Sequence, residues 1–382
     1  MFTRSLRPPT RSFFLFGPRA VGKSTWLKAH FPDALRFDLL VNETYYALTR
    51  DPAAFRSQVL ASPKSRWIVV DEVQRIPALL NEVHNLIEDH GRKFALSGSS
   101  ARKLKRGQAN LLAGRASTRS MFPLTREEYG DAASIDDILR WGVLPSVLAE
   151  PGARLDILDA YAGTYLREEI KEEALTRNVD GFARFLSIAA LASGQVTNLS
   201  AIARDAGVPR ATVGTYFEIL VDTLLGSFLP AWTPRARVKE VAHPKFYFFD
   251  TGVQRALAGR LRDSVGDEER GHLLETYVFH ELRAHIAQAS LGGELFYWRT
   301  ADRNEVDFIW QRNTKRVAIE VKASRRWRNE DDRGLLALSD TKLAPSQRLG
   351  VYLGAQPLQR AFGRVLPMDD FLKALAGGGV LG

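Results

Sequence analysis

Residues 17–25, Gly-Pro-Arg-Ala-Val-Gly-Lys-Ser-Thr, satisfy the spacing G-x-x-x-x-G-K-[ST] with Gly17, Gly22, Lys23 and Ser24. Glycine at those two positions lets the backbone curl until successive N–H groups face an anion. With a lysine and a hydroxyl beside them, the anion that fits is a phosphate chain. The whole run Gly17, Pro18, Arg19, Ala20, Val21, Gly22, Lys23, Ser24 and Thr25 reads as a loop for ATP, with Lys23 on the β- and γ-phosphates and Ser24 on Mg²⁺. Asp71 and Glu72 end a second apolar run. Asp71 would hold Mg²⁺ through water, and Glu72 would act as general base for hydrolysis.

A third group lies far along the chain. Glu275 falls in a helical stretch, Asp307 in Glu305-Val306-Asp307, and Glu320-Val321-Lys322 closes a β-rich run. Alternate side chains of a strand share a face, so Glu320 and Lys322 point the same way while Val321 points into the core. Asp307 and Glu320 would ligate a metal ion, Glu275 would complete the shell, and Lys322 would orient or deprotonate water, a set suited to phosphodiester hydrolysis. An acidic cluster without counter-charge is costly, and a bound cation would explain it.

The elements that must position these groups follow from apolar spacing. Residues 12–16 read as a buried strand running into the glycine turn and then a helix from residue 23 to 30. Residues 67–70 and 93–96 read as further strands, the latter ending in Ser97-Gly98-Ser99-Ser100. Strand ends carrying polar residues, separated by helical lengths, predict a parallel sheet with its site at the carboxyl edge. Residues 154–177 read as a charged amphipathic helix. Residues 199–225 read as a helix-turn-helix with Gly207 at the turn and Arg210, Thr212 and Thr215 on the recognition helix, predicting a winged helix. Beyond residue 234 a strand at 246–249, a helix at 273–286 and strands at 295–299, 306–310 and 317–321 predict a third domain. The tail at 377–382 reads as frayed.

Composition bounds the rest. The 382 residues include 53 Lys+Arg against 44 Asp+Glu, a net charge of +9, and no cysteine. That excludes disulfide scaffolds, zinc fingers, iron–sulfur clusters and thiol nucleophiles, and leaves metal binding to oxygen or to the seven histidines. No stretch approaches the roughly 18 apolar residues of a membrane span. A soluble, cytoplasmic protein without a membrane partner is expected. The basic surplus fits DNA. Residues 91–126 carry nine Lys or Arg and no acid, and Trp327 lies among Arg325, Arg326 and Arg328, where an aromatic could stack a base.

The motifs GPRAVGKST, VVDEVQRIPALL, LSGSSARKL, LLAGR and FPLTREEYG resemble the prokaryotic AAA-family P-loop ATPases of uncharacterised function. FYFFDTG, HLLETYVFHEL, FYWR, NEVDF and IEVKAS resemble the PD-(D/E)xK restriction-endonuclease-like region such proteins carry at the C-terminus, although Val306 stands where that pattern has proline. The resemblance implies an α/β fold in three parts: an ATPase core at 1–125, a helical lid and winged helix at 126–234, and a nuclease-like domain at 235–382. It implies that Ser97 or Ser99 senses the γ-phosphate and that Arg115 is an arginine finger or sensor given to a neighbouring subunit of a homo-oligomer. The expected function is Mg²⁺-dependent ATP hydrolysis coupled to DNA processing. The competing expectation is an ATP-gated switch that signals to a protein partner through an inactive nuclease-like domain.

Overall fold

The computed structural model describes residues 2–100, 112, 114–165, 178–233, 243–302, 304–339 and 345–381. The cluster Arg102, Lys103, Lys105 and Arg106 lies outside them. The chain divides into two compact units, residues 2–123 with 222–225, and residues 124–221 with 226–382.

The first unit is built on a parallel sheet in the order β2-β3-β4-β1-β5, from β1 (Phe13–Phe16), β2 (Leu35–Asp38), β3 (Trp67–Asp71), β4 (Lys93–Gly98) and β5 (Ser117–Ser120). Its central strands are nearly continuous apolar runs, as a sheet buried on both faces requires. Phe14, Phe37, Phe55, Ile68, Val70, Phe94 and Leu96 form one core with Leu80 and Val83 of the helix Leu79–Glu88. Asp51 starts the helix Pro52–Ala61 by accepting from the N–H groups of Ala53 and Ala54, with Pro52 at the first position where a missing N–H costs nothing. The sequence spacing identifies β1, β3 and β4; β2 and β5 are short and half-exposed, so their apolar signal is weak.

The second unit begins with short helices, among them Arg126–Tyr129, Ile135–Trp141 and Arg154–Ala160. The expected long helix at 154–177 is instead seven α-helical residues followed by a π-helical turn, Tyr161–Tyr165, and residues 166–177 lie outside the described part. Three helices follow, Val179–Leu191, Leu199–Ala206 and Arg210–Asp222, then an antiparallel ribbon of β6 (Gly226–Leu229) and β7 (Lys245–Phe248). Gly207 closes the middle helix at φ 64°, the left-handed conformation that favours glycine. Asn198 caps the start of that helix.

After the helix Thr251–Leu257 comes the 22-residue helix Asp267–Gln288 and a six-stranded sheet in the order β12-β13-β11-β10-β9-β8. Its strands are β8 (Glu294–Arg299), β9 (Glu305–Arg312), β10 (Lys315–Lys322), β11 (Gln347–Tyr352), β12 (Leu358–Arg360) and β13 (Gly363–Pro367). β8, β9 and β10 form an antiparallel meander, and β11 and β13 add parallel to it. Trp327 is not available to a base: it is buried with Trp298, Leu335, Tyr352 and Phe362, its indole N–H donating to Asp332 at 2.8 Å. The tail does not fray as expected, because Val380 and Leu381 are buried. Among the described residues no helix is long and apolar enough to cross a membrane.

Candidate functional site

In the first unit the loop after β1 turns through Ala20 at φ 60° and Gly22 at φ 91° into the helix Lys23–His30. Ala20 holds a conformation in which its Cβ is strained. Gly17 is tied to the neighbouring strand, its N–H donating to Gly98 at 3.3 Å, and a Cβ there would collide with the Met121 carbonyl. Lys23 is buried and donates to the carbonyls of Gly17 (2.8 Å) and Pro18 (3.0 Å). No side chain caps the helix start and no acid occupies its first turn, which leaves its N–H groups and dipole suited to an anion. Pro18 and Val21 are buried, Arg19 and Ser24 half-buried, and Thr25 exposed on the outer side of the helix.

Asp71 and Glu72 stand at the carboxyl edge of the same sheet. The Ser97 hydroxyl donates to Asp71, and Ser97 also accepts from the Glu72 N–H at 3.3 Å. The Glu72 carboxylate accepts from the Ser99 N–H at 3.2 Å, from the Ser99 hydroxyl at 2.9 Å and from the Gln74 amide. Burial works to raise the Glu72 pKa, but Lys23, Gln74, Ser99 and Arg19 outweigh it and hold it below the ordinary glutamate value. Glu72 therefore stays ionised at neutral pH. Its backbone is left-handed, φ 57° and ψ 47°, a conformation uncommon outside glycine that turns the carboxylate back toward β4. Asp71, Glu72, Ser97 and Ser99 thus form one hydrogen-bonded group. Gln74, absent from the sequence reading, holds Glu72 and Ser99 together, while its Oε1 is buried without a hydrogen bond.

The oxygen donors Ser24 and Asp71 suit a hard cation, and the uncapped, acid-free helix start beside Lys23 suits a phosphate, so these residues fit ATP and Mg²⁺. Arg115 lies elsewhere: it is about one-third exposed and pairs with Glu88 at the end of the helix Leu79–Glu88.

In the second unit Glu275, Asp307, Glu320 and Lys322 converge, but not on a cation-sized opening. Lys245, first residue of β7, is 3% exposed and reaches into the group: its Nζ is 2.7 Å from Glu305, 3.4 Å from Glu275 and 3.9 Å from Asp307. Lys322 pairs with Glu320. Asp307 also accepts from the Val321 N–H at 2.8 Å, and Glu275 from the Tyr247 hydroxyl at 2.9 Å. The expectation of an acidic cluster without counter-charge is corrected by these two lysines. Among the described residues no three His, Asp or Glu side chains are placed to hold a metal ion. The group as it stands does not fit a divalent cation.

The charges of this group fall into place accordingly. Burial, then Glu275, pushes Asp307 up; burial, then Asp307, pushes Glu320 up. Burial opposes the charge on both lysines, yet the carboxylates overcome it, Glu275 leading for Lys245 and Glu320 for Lys322, and both ammonium groups are held above their ordinary value. Lys322 is thus held as a cation against Glu320, which favours the orienting and charge-offsetting part of its expected role. Glu305 was legible, since it shares a strand face with Asp307; Lys245, some 30 residues from any acid of the group, carried no local signal.

Against this geometry stand the relatives. Residues 9–130 match the AAA domain, residues 132–264 a domain of unknown function, DUF8612, and residues 270–371 another, DUF4143. With its parallel sheet and phosphate-type loop, the first unit is P-loop ATPase-like where it matches the AAA domain. The chain is similar to the uncharacterized protein Rv2008c of Mycobacterium tuberculosis, 27% identical over 316 residues that cover 81% of this chain and 69% of that protein. An uncharacterized protein of Haemophilus influenzae is 22% identical over 278 residues, 68% of this chain and 66% of that one. The crystal structure of protein VC1899 from Vibrio cholerae covers 96% of both chains at 13% identity, with a TM-score of 0.22 that carries no argument about fold.

Proposed function

We propose that this protein binds ATP with Mg²⁺ at residues 17–25 and hydrolyses it, and that hydrolysis is coupled to DNA processing by the second unit, in the cytoplasm and as a homo-oligomer. The observation that carries the hydrolytic part is the ionised Glu72 carboxylate, locked by Ser99 and Gln74 beside Asp71 and facing the charge of Lys23. Ser24 and Asp71 would hold Mg²⁺, which when bound would offset negative charge on the phosphates. Lys23 would exchange its two carbonyl partners for phosphate oxygens. Glu72 would accept the proton of an attacking water, and Ser97 or Ser99 would register the terminal phosphate. Arg115 could serve a neighbouring subunit only by leaving Glu88.

The DNA part rests on the basic surplus and on the three helices and ribbon at 179–248, an order of elements that suits a winged helix. Arg210 and Thr215 are exposed at the start of the third helix, where a recognition helix presents its reading residues. Glu275, Asp307, Glu320 and Lys322 are read as the carboxylate group of a restriction-endonuclease-like domain, and the lysine-filled arrangement supports no cleavage step. That same observation favours a second reading, an ATP-gated switch acting on a protein partner through an inactive nuclease-like domain.

Phosphate release with and without single-stranded, duplex and branched DNA, with Lys23→Ala as blank, tests both. Stimulation by one DNA form, lost in Arg210→Glu, is the expected result. Basal hydrolysis unaffected by any DNA would overturn the coupling and leave the switch.

A further inference from the structure

Four carboxylates, Glu275, Glu305, Asp307 and Glu320, gather between the helix Asp267–Gln288 and the strands β9 and β10, and their chemistry is that of a hard divalent cation site. A cation is indeed seated among them, but it is covalently part of the chain. We propose that Lys245 is the resident cation of this group: its ammonium, anchored on β7, takes the place among Glu275, Glu305 and Asp307 that a divalent metal ion would need, so that metal enters only in exchange for this side chain. The inference rests on reading these carboxylates as the nuclease-like group.

Three observations support it. The Lys245 stem is buried, and its Nζ lies 5.4 Å from the centre of the Tyr297 ring, so the ammonium is held by a π-face as well as by anions. Part of the oxygen set is already committed: Glu275 Oε2 serves both Lys245 and the Tyr247 hydroxyl, and at Asp307 the Val321 N–H takes Oδ2 while Lys245 faces Oδ1 at 3.9 Å. Glu320 shows what the arrangement leaves undone. Its Oε2 is buried with no hydrogen-bond partner, which is the mark of a group assembled for more positive charge than the two lysines supply. A tethered ammonium brings one charge where a divalent ion brings two. Lys245 begins the second strand of the β6–β7 ribbon, so the cation of this group is supplied by an element outside the six-stranded sheet.

Calorimetric titration of the nucleotide-free full-length protein with Mn²⁺ tests this, using the parent, Lys245→Met, Asp307→Asn and the double variant Lys245→Met/Asp307→Asn. The parent should show no binding beyond that of Asp307→Asn. Lys245→Met should bind a single Mn²⁺ roughly tenfold or more tighter than the parent, an effect of removing one adjacent positive charge, and the double variant should lose it. Its melting temperature should be lowered without metal and restored by Mn²⁺, a response absent from the parent. If Lys245→Met does not fold, Lys245→Met/Glu305→Gln removes the nearest anion together with the cation and should show the same gain. Parent protein that binds Mn²⁺ at Asp307 as tightly as the lysine variants would overturn the inference while leaving the metal reading in place. Folded lysine variants that bind none would overturn both.

Discussion

On the proposed mechanism Glu72 and Lys23 divide the work of the nucleotide site, and their replacement should separate binding from chemistry. Glu72→Gln keeps the hydrogen-bonding shape but not the charge, so ATP affinity should persist while turnover falls about 10²–10⁴-fold, as loss of a general base does. Nucleotide calorimetry beside phosphate release reads both quantities, and unchanged turnover would remove Glu72 from the mechanism. A different carboxyl answers to pH. Burial, offset only in part by the Arg126 N–H and the Tyr277 hydroxyl, pushes Glu281 up to about 8 from an ordinary 4.5. Between those values the folded chain holds a proton that the unfolded chain has released, so stability contributed here is present at low pH and falls as pH rises toward 8. Glu281→Gln should therefore gain on the parent by a few kcal/mol between about pH 5 and pH 8 in urea titrations. A gap that stays constant with pH would refute that assignment.

At the level of elements, close packing beside the carboxylate group depends on a glycine. Gly350 of β11 sits opposite Glu320 of β10, and a Cβ on it would meet the Trp327 ring at 2.5 Å. Gly350→Ala should cost about 1–3 kcal/mol, the usual penalty for forcing a large side chain aside in a packed core, and a thermal melt would register it. The elements themselves were unevenly legible. β1, β3 and β4 are apolar runs ending in polar residues, and the three helices at 179–222 carry helical spacing and a glycine turn, so each announces itself locally. β12 and β13 do not: β12 has three residues, and β13 mixes Arg364 with Val365 and Leu366, so their pairing with each other and with β11 decides their form. The residues of the proposed nucleotide site were readable because the motif is contiguous and its partners end strands. The carboxylate group was readable in its acids and in Lys322 but not in Lys245, which comes from another sheet and which no spacing in the sequence connects to them.

For the molecule as a whole, two units with separate cores should appear as separate events on heating. Mg²⁺ with ATP at a hundredfold excess over its dissociation constant should, on the proposed function, stabilise the first unit by about 2.7 kcal/mol, raising its transition in differential scanning calorimetry. Lys23→Ala should abolish the shift; a shift that survives would place the nucleotide elsewhere. The left-handed backbone at Glu72 bears on how such a protein would respond to selection. A non-glycine residue there costs on the order of 1 kcal/mol, less than is lost when the buried Ser99 and Gln74 donors are left without their acceptor, so Glu72→Gly should melt lower than the parent. A mutant library screened on heat resistance alone would therefore retain Glu72, and heat-tolerant lineages would find their gains at other positions.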